Sequence, residues 1–192
     1  DANGCSVTTN AITIVNPELL TAYAEGSSQV SCNNGNDGMI TVFAQGGTGA
    51  YTYSLNGGIP QAGNIFEGLA AGTYTVTVHD INNCSVTTKA VTIANPTTIT
   101  ATATGSAQTS CFGASDGIIT VSASGGTGEY SYTLNDGEPQ SSNIFEGLPA
   151  GKYIVTVRDI NGCSTTTEVI IIPDPELLKA SAKGSSQVSC TD

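Results

Sequence analysis

The six cysteines of this chain fall in two series, Cys5, Cys84, Cys163 and Cys32, Cys111, Cys190, and every step within a series is 79 residues. A translational repeat of that length constrains the fold more than any local propensity, because each copy must bury a core of its own. Other segments keep the same step. Asn64 to Leu69 (NIFEGL) returns at Asn143 to Leu148, and Gly46 to Gly49 (GGTG) returns at Gly125 to Gly128. A longer step of 158 residues brings Pro17 to Leu20 (PELL) and Gly26 to Cys32 (GSSQVSC) back at Pro175 and Gly184, whereas the middle copy differs. The division that follows is 1–16 as the C-terminal strand of a preceding repeat, 17–95 and 96–174 as two complete copies, and 175–192 as the first strand of a following repeat. Such a pattern is expected of a segment cut from a longer array with two alternating repeat types.

What a copy folds into follows from its composition and periodicity. Charged residues make up only 11% of the chain, and Thr, Ser, Gly, Val, Ile and Ala dominate, which favours pleated strands and tight turns over helices. Residues 17–95 read as seven short strands: A over 19–25, B over 39–45, C over 51–55, C′ over 59–61, E over 65–69, F over 73–79 and G over 85–93. In B, Ile40, Val42 and Ala44 alternate inward. Asn56-Gly57 marks a two-residue hairpin between C and C′. The Leu69, Gly72, Tyr74 spacing, repeated as Leu148, Gly151, Tyr153, places a tyrosine just past the E to F corner, where immunoglobulin-like and fibronectin-type sandwiches carry a hydroxyl bonded to nearby backbone. The fold class expected is therefore all-β, in tandem immunoglobulin-like or fibronectin-type sandwiches.

Several functions are disfavoured by the residues present. A formal net charge of −11 argues against a nucleic-acid backbone binder, and no apolar run approaches the ~20 residues of a membrane-spanning helix. The chain starts at Asp1 with no leader pattern, so any export signal is expected to lie outside it. Its single histidine, His79, is replaced by Arg158 in the next copy and has no nucleophile motif beside it, so no enzyme activity and no catalytic residue are expected. The GGTG segments precede no Lys-Ser/Thr and open no helix, and they read as turns between B and C. Tyr51, Tyr53, Tyr130 and Tyr132 alternate on strand C and read as core in preference to a sugar platform.

Acidic residues recur beside the turns, Asp37 and Asp116 before B, Asp80 and Asp159 after F. The run Asn33 to Gly38 has the oxygen alternation of a calcium loop but not its closing glutamate, so these four are at most calcium candidates, with Asp37 and Asp159 placed to share an ion. Turn chemistry accounts for them without metal, and no cofactor is expected.

The cysteines read as disulfides, since no CxxC pair and only one histidine are present for zinc. Disulfides imply an oxidising, extracellular setting. Equivalent pairing leaves three schemes: within a copy (Cys32 with Cys84, Cys111 with Cys163), across the short gap (Cys5 with Cys32, Cys84 with Cys111, Cys163 with Cys190), or between neighbouring copies (Cys32 with Cys163). Strands B and F run the same way, so a cysteine before B and one after F lie ~25–30 Å apart, far beyond the ~7 Å a disulfide allows. That disfavours the first scheme. The short-gap scheme requires G and the next A to form one hairpin about Asn95-Pro96, and the sequence leaves it level with the third.

The combined pattern resembles a known family. Cys111-Phe112-Gly113-Ala114-Ser115-Asp116-Gly117, an alternating strand, Gly-Gly-Thr-Gly-x-Tyr-x-Tyr, Leu-x-x-Gly-x-Tyr-x-Val-x-Val-x-Asp and a closing Asn-Gly-Cys together resemble the SprB repeat, a tandem immunoglobulin-like module of very large surface adhesins in gliding bacteria. Departures are small: Asn33 stands where the next copy has Phe112, and Asn82-Asn83-Cys84 replaces Asn-Gly-Cys. The resemblance implies export to the cell surface and membership of a long filamentous protein. The function expected is thus a structural shaft segment of a secreted surface filament or adhesin, supporting attachment or gliding motility. Its expected partners are neighbouring repeats, like filaments or surface polysaccharide, with no nucleic acid and no membrane insertion. The alternative is a carbohydrate- or surface-binding module acting through loops or exposed aromatics, which would show an aromatic or loop patch differing between copies.

Overall fold

A computed structural model describes residues 2–184. Two compact units emerge. One comprises residues up to Val30 together with Asn34–Asn95, and the other Ser31–Asn33 together with Pro96 onward. No helix occurs among the described residues.

The first unit contains β1 (Thr21–Gly26), β2 (Gly38–Gln45), β3 (Thr52–Leu55), β4 (Ile65–Leu69), β5 (Gly72–Tyr74), β6 (Val76–His79), β7 (Ser85–Thr87) and β8 (Val91–Ile93). One sheet has the order β1-β2-β4; the facing layer is β3-β6-β7 continued by the pair β5-β8, and all pairings are antiparallel. Alternation drives the burial, as period-2 patterning requires. Ile40 and Val42 of β2 and Phe66 of β4 meet Tyr53 of β3, Val76 and Val78 of β6, Ile93 of β8 and the loop residue Val30 in one apolar cluster. This is an all-β sandwich of immunoglobulin or fibronectin type.

The second unit repeats the plan with β9 (Thr100–Gly105), β10 (Ser115–Ser124), β11 (Tyr130–Leu134), β12 (Ile144–Pro149), β13 (Gly151–Tyr153), β14 (Val155–Asp159), β15 (Ser164–Thr166) and β16 (Ile170–Ile172). Its sheets are β9-β10-β12, β11-β14-β15 and β13-β16, around a core of Ile119, Val121, Tyr132, Phe145, Val155, Val157 and Ile172 among others.

Strands F, G and C′ and the two flanking segments differ from the sequence expectation. Strand F is two strands, β5 and β6, because the backbone kinks at Thr75. There the Asn56 amide oxygen accepts the Thr75 N–H at 2.9 Å, and the Asn56 N–H donates to the Thr75 carbonyl at 2.8 Å. Strand G breaks opposite this kink, and the buried Thr88 hydroxyl accepts the Val76 N–H that a strand carbonyl would otherwise take (3.1 Å). Strand C′ reduces to a single bridge, Gln61 to Tyr53, since Pro60 offers no ladder donor. Finally, residues 2–16 and 175–184 hold no strand. Their repeat equivalents, residues 81–95 and 17–26, contain β7, β8 and β1, which pair with β6, β5 and β2.

Candidate functional site

The features that recur most faithfully cluster at the F to G turn. Asp80 follows β6 and is buried. Its Oδ1 accepts the Asn82 and Cys84 N–H groups, each at 2.9 Å, and its Oδ2 accepts the Thr48 N–H of the glycine-rich turn at 2.9 Å. Asp159 repeats the arrangement with Asn161 (3.0 Å), Cys163 (2.9 Å) and Thr127 (2.9 Å). Burial alone would raise the Asp80 pKa, but the hydrogen bonds from Thr48, Cys84 and Asn82 outweigh it and hold the carboxyl below the ordinary aspartate range. Each carboxylate therefore ties two loops together and presents Cys84 or Cys163 at a set place.

The opposite glycine-rich turn explains its own sequence. Gly46 has φ +77, and a Cβ there would sit 2.1 Å from the Leu19 carbonyl oxygen; Gly125 stands in the same relation to Thr98. Beside it, the Tyr51 hydroxyl donates to the Gly46 carbonyl at 2.7 Å and the Tyr130 hydroxyl to that of Gly125. Tyr53 and Tyr132 are buried in the core, and burial, then the neighbouring Tyr51 or Tyr130, raises their pKa. At the E to F corner, the Tyr74 hydroxyl donates to Ala70 O at 2.8 Å and the Tyr153 hydroxyl to Pro149 O at 2.6 Å.

Among the calcium candidates, Asp80 and Asp159 turn their carboxylates to backbone N–H groups, whose positive ends disfavour a cation at the same oxygens. The Asp116 carboxyl is lowered by the Ser110 side chain and by the Ser110 N–H, which it accepts at 3.0 Å. Asp37 is exposed in the loop before β2. His79 is half-buried, opposite Thr52 and Ser85 in register.

Cys32 and Cys163 form a disulfide with Cα atoms 5.6 Å apart, and both lie in the second unit, because Ser31–Asn33 packs there. The Asn161 amide donates to the Ser31 carbonyl beside it at 3.2 Å. Of the three pairing schemes, the structure has the one joining cysteines of successive copies. The short-gap scheme is overturned, since β8 pairs with β5 and β9 with β10, so no G to A hairpin forms. The within-copy scheme also falls, because Cys32 and Cys163 are taken by each other. Cys84 and Cys111 are exposed thiols, Cys5 is exposed, and Cys190 lies outside the described residues.

Two features escaped the sequence reading. Gln61 donates to both the Gly63 and Ile65 carbonyls at 2.8 Å, and Asn64 donates to Val42 O at 2.9 Å, so the amides around NIFEGL clamp the loop before β4; Gln140 and Asn143 do the same. The recurrence of NIFEGL was the only signal. The other is a stacked pair, Tyr23 and Phe43, directly opposite on β1 and β2, with ring centroids 4.8 Å apart and planes 15° from parallel. Both are exposed, and their equivalents are Thr102 and Ser122.

The family model of the SprB repeat matches residues 24–59 and 106–139. No curated protein matches the chain. Among solved structures, three N-terminal domains of the bacteriophage RB49 Highly Immunogenic Outer Capsid protein share 15% identity at a TM-score of 0.48, over 80% of this chain and 59% of that one. The chain thus spans less than two thirds of that fragment. Fibronectin(III)-like modules of Clostridium thermocellum CbhA share 12% identity at a TM-score of 0.33, over 86% of this chain and 100% of theirs. A C-terminal fragment of intimin, solved with its translocated receptor's binding domain, shares 15% at 0.38, over 81% and 64%. The chain is thus similar to the SprB repeat at two places, 82 residues apart at their starts (24 and 106) and 80 at their ends (59 and 139), one match beginning in each sandwich, and the family model describes it over no more than these segments.

Proposed function

We propose that the chain is a structural segment of an exported cell-surface adhesin or filament, where tandem modules supply reach and bear load and perform no turnover of their own. The observation that carries this is the duplication of loop anchoring: each module ties its F to G turn to its glycine-rich turn through a buried aspartate, with the same three backbone partners. Loops held this way resist deformation and are poorly suited to adapt to a ligand. The association of the SprB repeat with surface proteins supports the location, and the disulfide supports an oxidising compartment. Gliding motility is the process such a filament would serve. Deleting whole 79-residue copies from the parent protein tests this: fibre length should fall in proportion while attachment persists, and loss of attachment at unchanged length would sink it.

A second reading rests on Tyr23 and Phe43. An exposed aromatic pair present in one copy and absent from the next is what a polysaccharide contact would require, with Thr21 and Gln45 beside it for hydroxyl recognition. Retention on immobilised polysaccharide that drops on Tyr23→Ala and Phe43→Ala would favour this reading.

A further inference from the structure

We propose that Cys84 and Cys111 are the two halves of a head-to-tail covalent joint, each bonding to a further copy of the repeat, and that two copies of this chain reproduce the joint as Cys111 of one with Cys84 of the other. The proposal deepens the shaft reading by naming its partner and the bond that holds it. Translation by 79 residues carries Cys32 onto Cys111 and Cys84 onto Cys163. The bond between Cys32 and Cys163 is therefore the same joint already made once within the chain.

The surroundings are duplicated as well as the cysteines. Cys84 is held as Cys163 is, its N–H on an aspartate Oδ1 at 2.9 Å in both copies. Asn161, which donates to Ser31 O at the made joint, has Asn82 as its equivalent, and Ser31 has Ser110. The difference between the sets is burial. Ser31, Cys32, Asn33 and Cys163 are half-buried, whereas Ser110, Cys111, Phe112 and Cys84 are exposed. Phe112, 57% exposed where the first copy has Asn33, adds apolar surface next to the Cys111 thiol. A surface that is half-covered wherever its partner is present, and bare where it is not, is complementary to a second copy.

The chemistry is thiol–disulfide exchange with a small disulfide such as oxidised glutathione. The Cys111 thiolate attacks one sulfur and releases one glutathione thiol. The Cys84 thiolate of the second copy then attacks the protein-bound sulfur and releases the other. Two protein thiols are oxidised, and one small disulfide is reduced to two thiols.

Two variants of the full chain test the joint, both also carrying Cys5→Ser and Cys190→Ser: Cys84→Ser, which keeps Cys111, and Cys111→Ser, which keeps Cys84. In a glutathione redox buffer, the mixture should give a disulfide-linked heterodimer about tenfold in excess of either homodimer, the ratio that an orientation preference of only ~1.4 kcal/mol produces. Peptide mapping should identify Cys111–Cys84 and an intact Cys32–Cys163 in every species, the latter confirming that the variants fold. Homodimers as abundant as the heterodimer, no linked dimer, or a Cys84–Cys111 bond inside a single chain of the all-cysteine protein would each overturn the proposal. None of these outcomes bears on the copy-deletion experiment, so failure of the joint is distinguishable from failure of the shaft reading.

Discussion

At the scale of single residues, the buried aspartates show how a turn can be specified by one side chain. Asp80 supplies oxygens to three N–H groups from two loops, and charge-assisted bonds of this kind are about twice as strong as neutral ones. Because its pKa is lower in the folded state than the ordinary value near 3.8, its contribution is complete above that value and disappears as pH falls through the folded pKa. Asp80→Asn should therefore lower the melting temperature at pH 7, and the gap to the parent should close below about pH 3.8; a constant gap across pH, measured by circular dichroism, would contradict the assignment. The same geometry predicts that a calcium chelator leaves the melting temperature unchanged, checked in one thermal scan with and without added calcium.

At the scale of elements, the kink in strand F is held by side chains standing in for backbone. Thr88→Val keeps the shape but leaves the buried Val76 N–H without its acceptor, and should cost about 1–3 kcal/mol in urea denaturation, with Thr167→Val doing the same in the second unit. The glycine-rich turn permits a sharper contrast. Gly46→Ala must place a Cβ 2.1 Å from the Leu19 carbonyl at φ +77, whereas Gly57→Ala, at φ +73, meets nothing within 4 Å. Gly57→Ala should show only the left-handed penalty of ~1–2 kcal/mol, and Gly46→Ala clearly more. Equal losses in the two variants would mean that the close approach has no energetic weight.

At the scale of the whole molecule, a covalent link spans 131 residues of sequence. Closing so long a loop restricts the unfolded chain, and removing a native disulfide of this kind typically costs ~2–5 kcal/mol. Cys32→Ser should lower the denaturation midpoint of the second unit by a corresponding amount. Mild reductant should reproduce the effect in the monomeric parent chain, in which Cys84 and Cys111 are thiols. A reductant-insensitive midpoint would assign the link no role in stability.

The repeat, the all-β class, the inward set Ile40 and Val42, and the Asn56-Gly57 turn were legible in the chain because they rest on short-range rules: a fixed step, period-2 alternation and two adjacent residues with positive φ. The breaks in strands F and G were not, because they depend on Asn56 and Thr88 reaching residues 19 and 12 positions away, and a threonine inside a strand pattern carries no local mark of that use. The cysteine pairing stayed open between two schemes for a related reason. Spacing defines which cysteines are equivalent, but only tertiary structure decides that β8 returns to β5 and β9 to β10, which separates the short-gap pair and leaves Cys32 to Cys163. Exposure of Tyr23 and Phe43 was likewise invisible, since an alternating strand assigns residues to two faces and does not say which neighbours will cover the outer one.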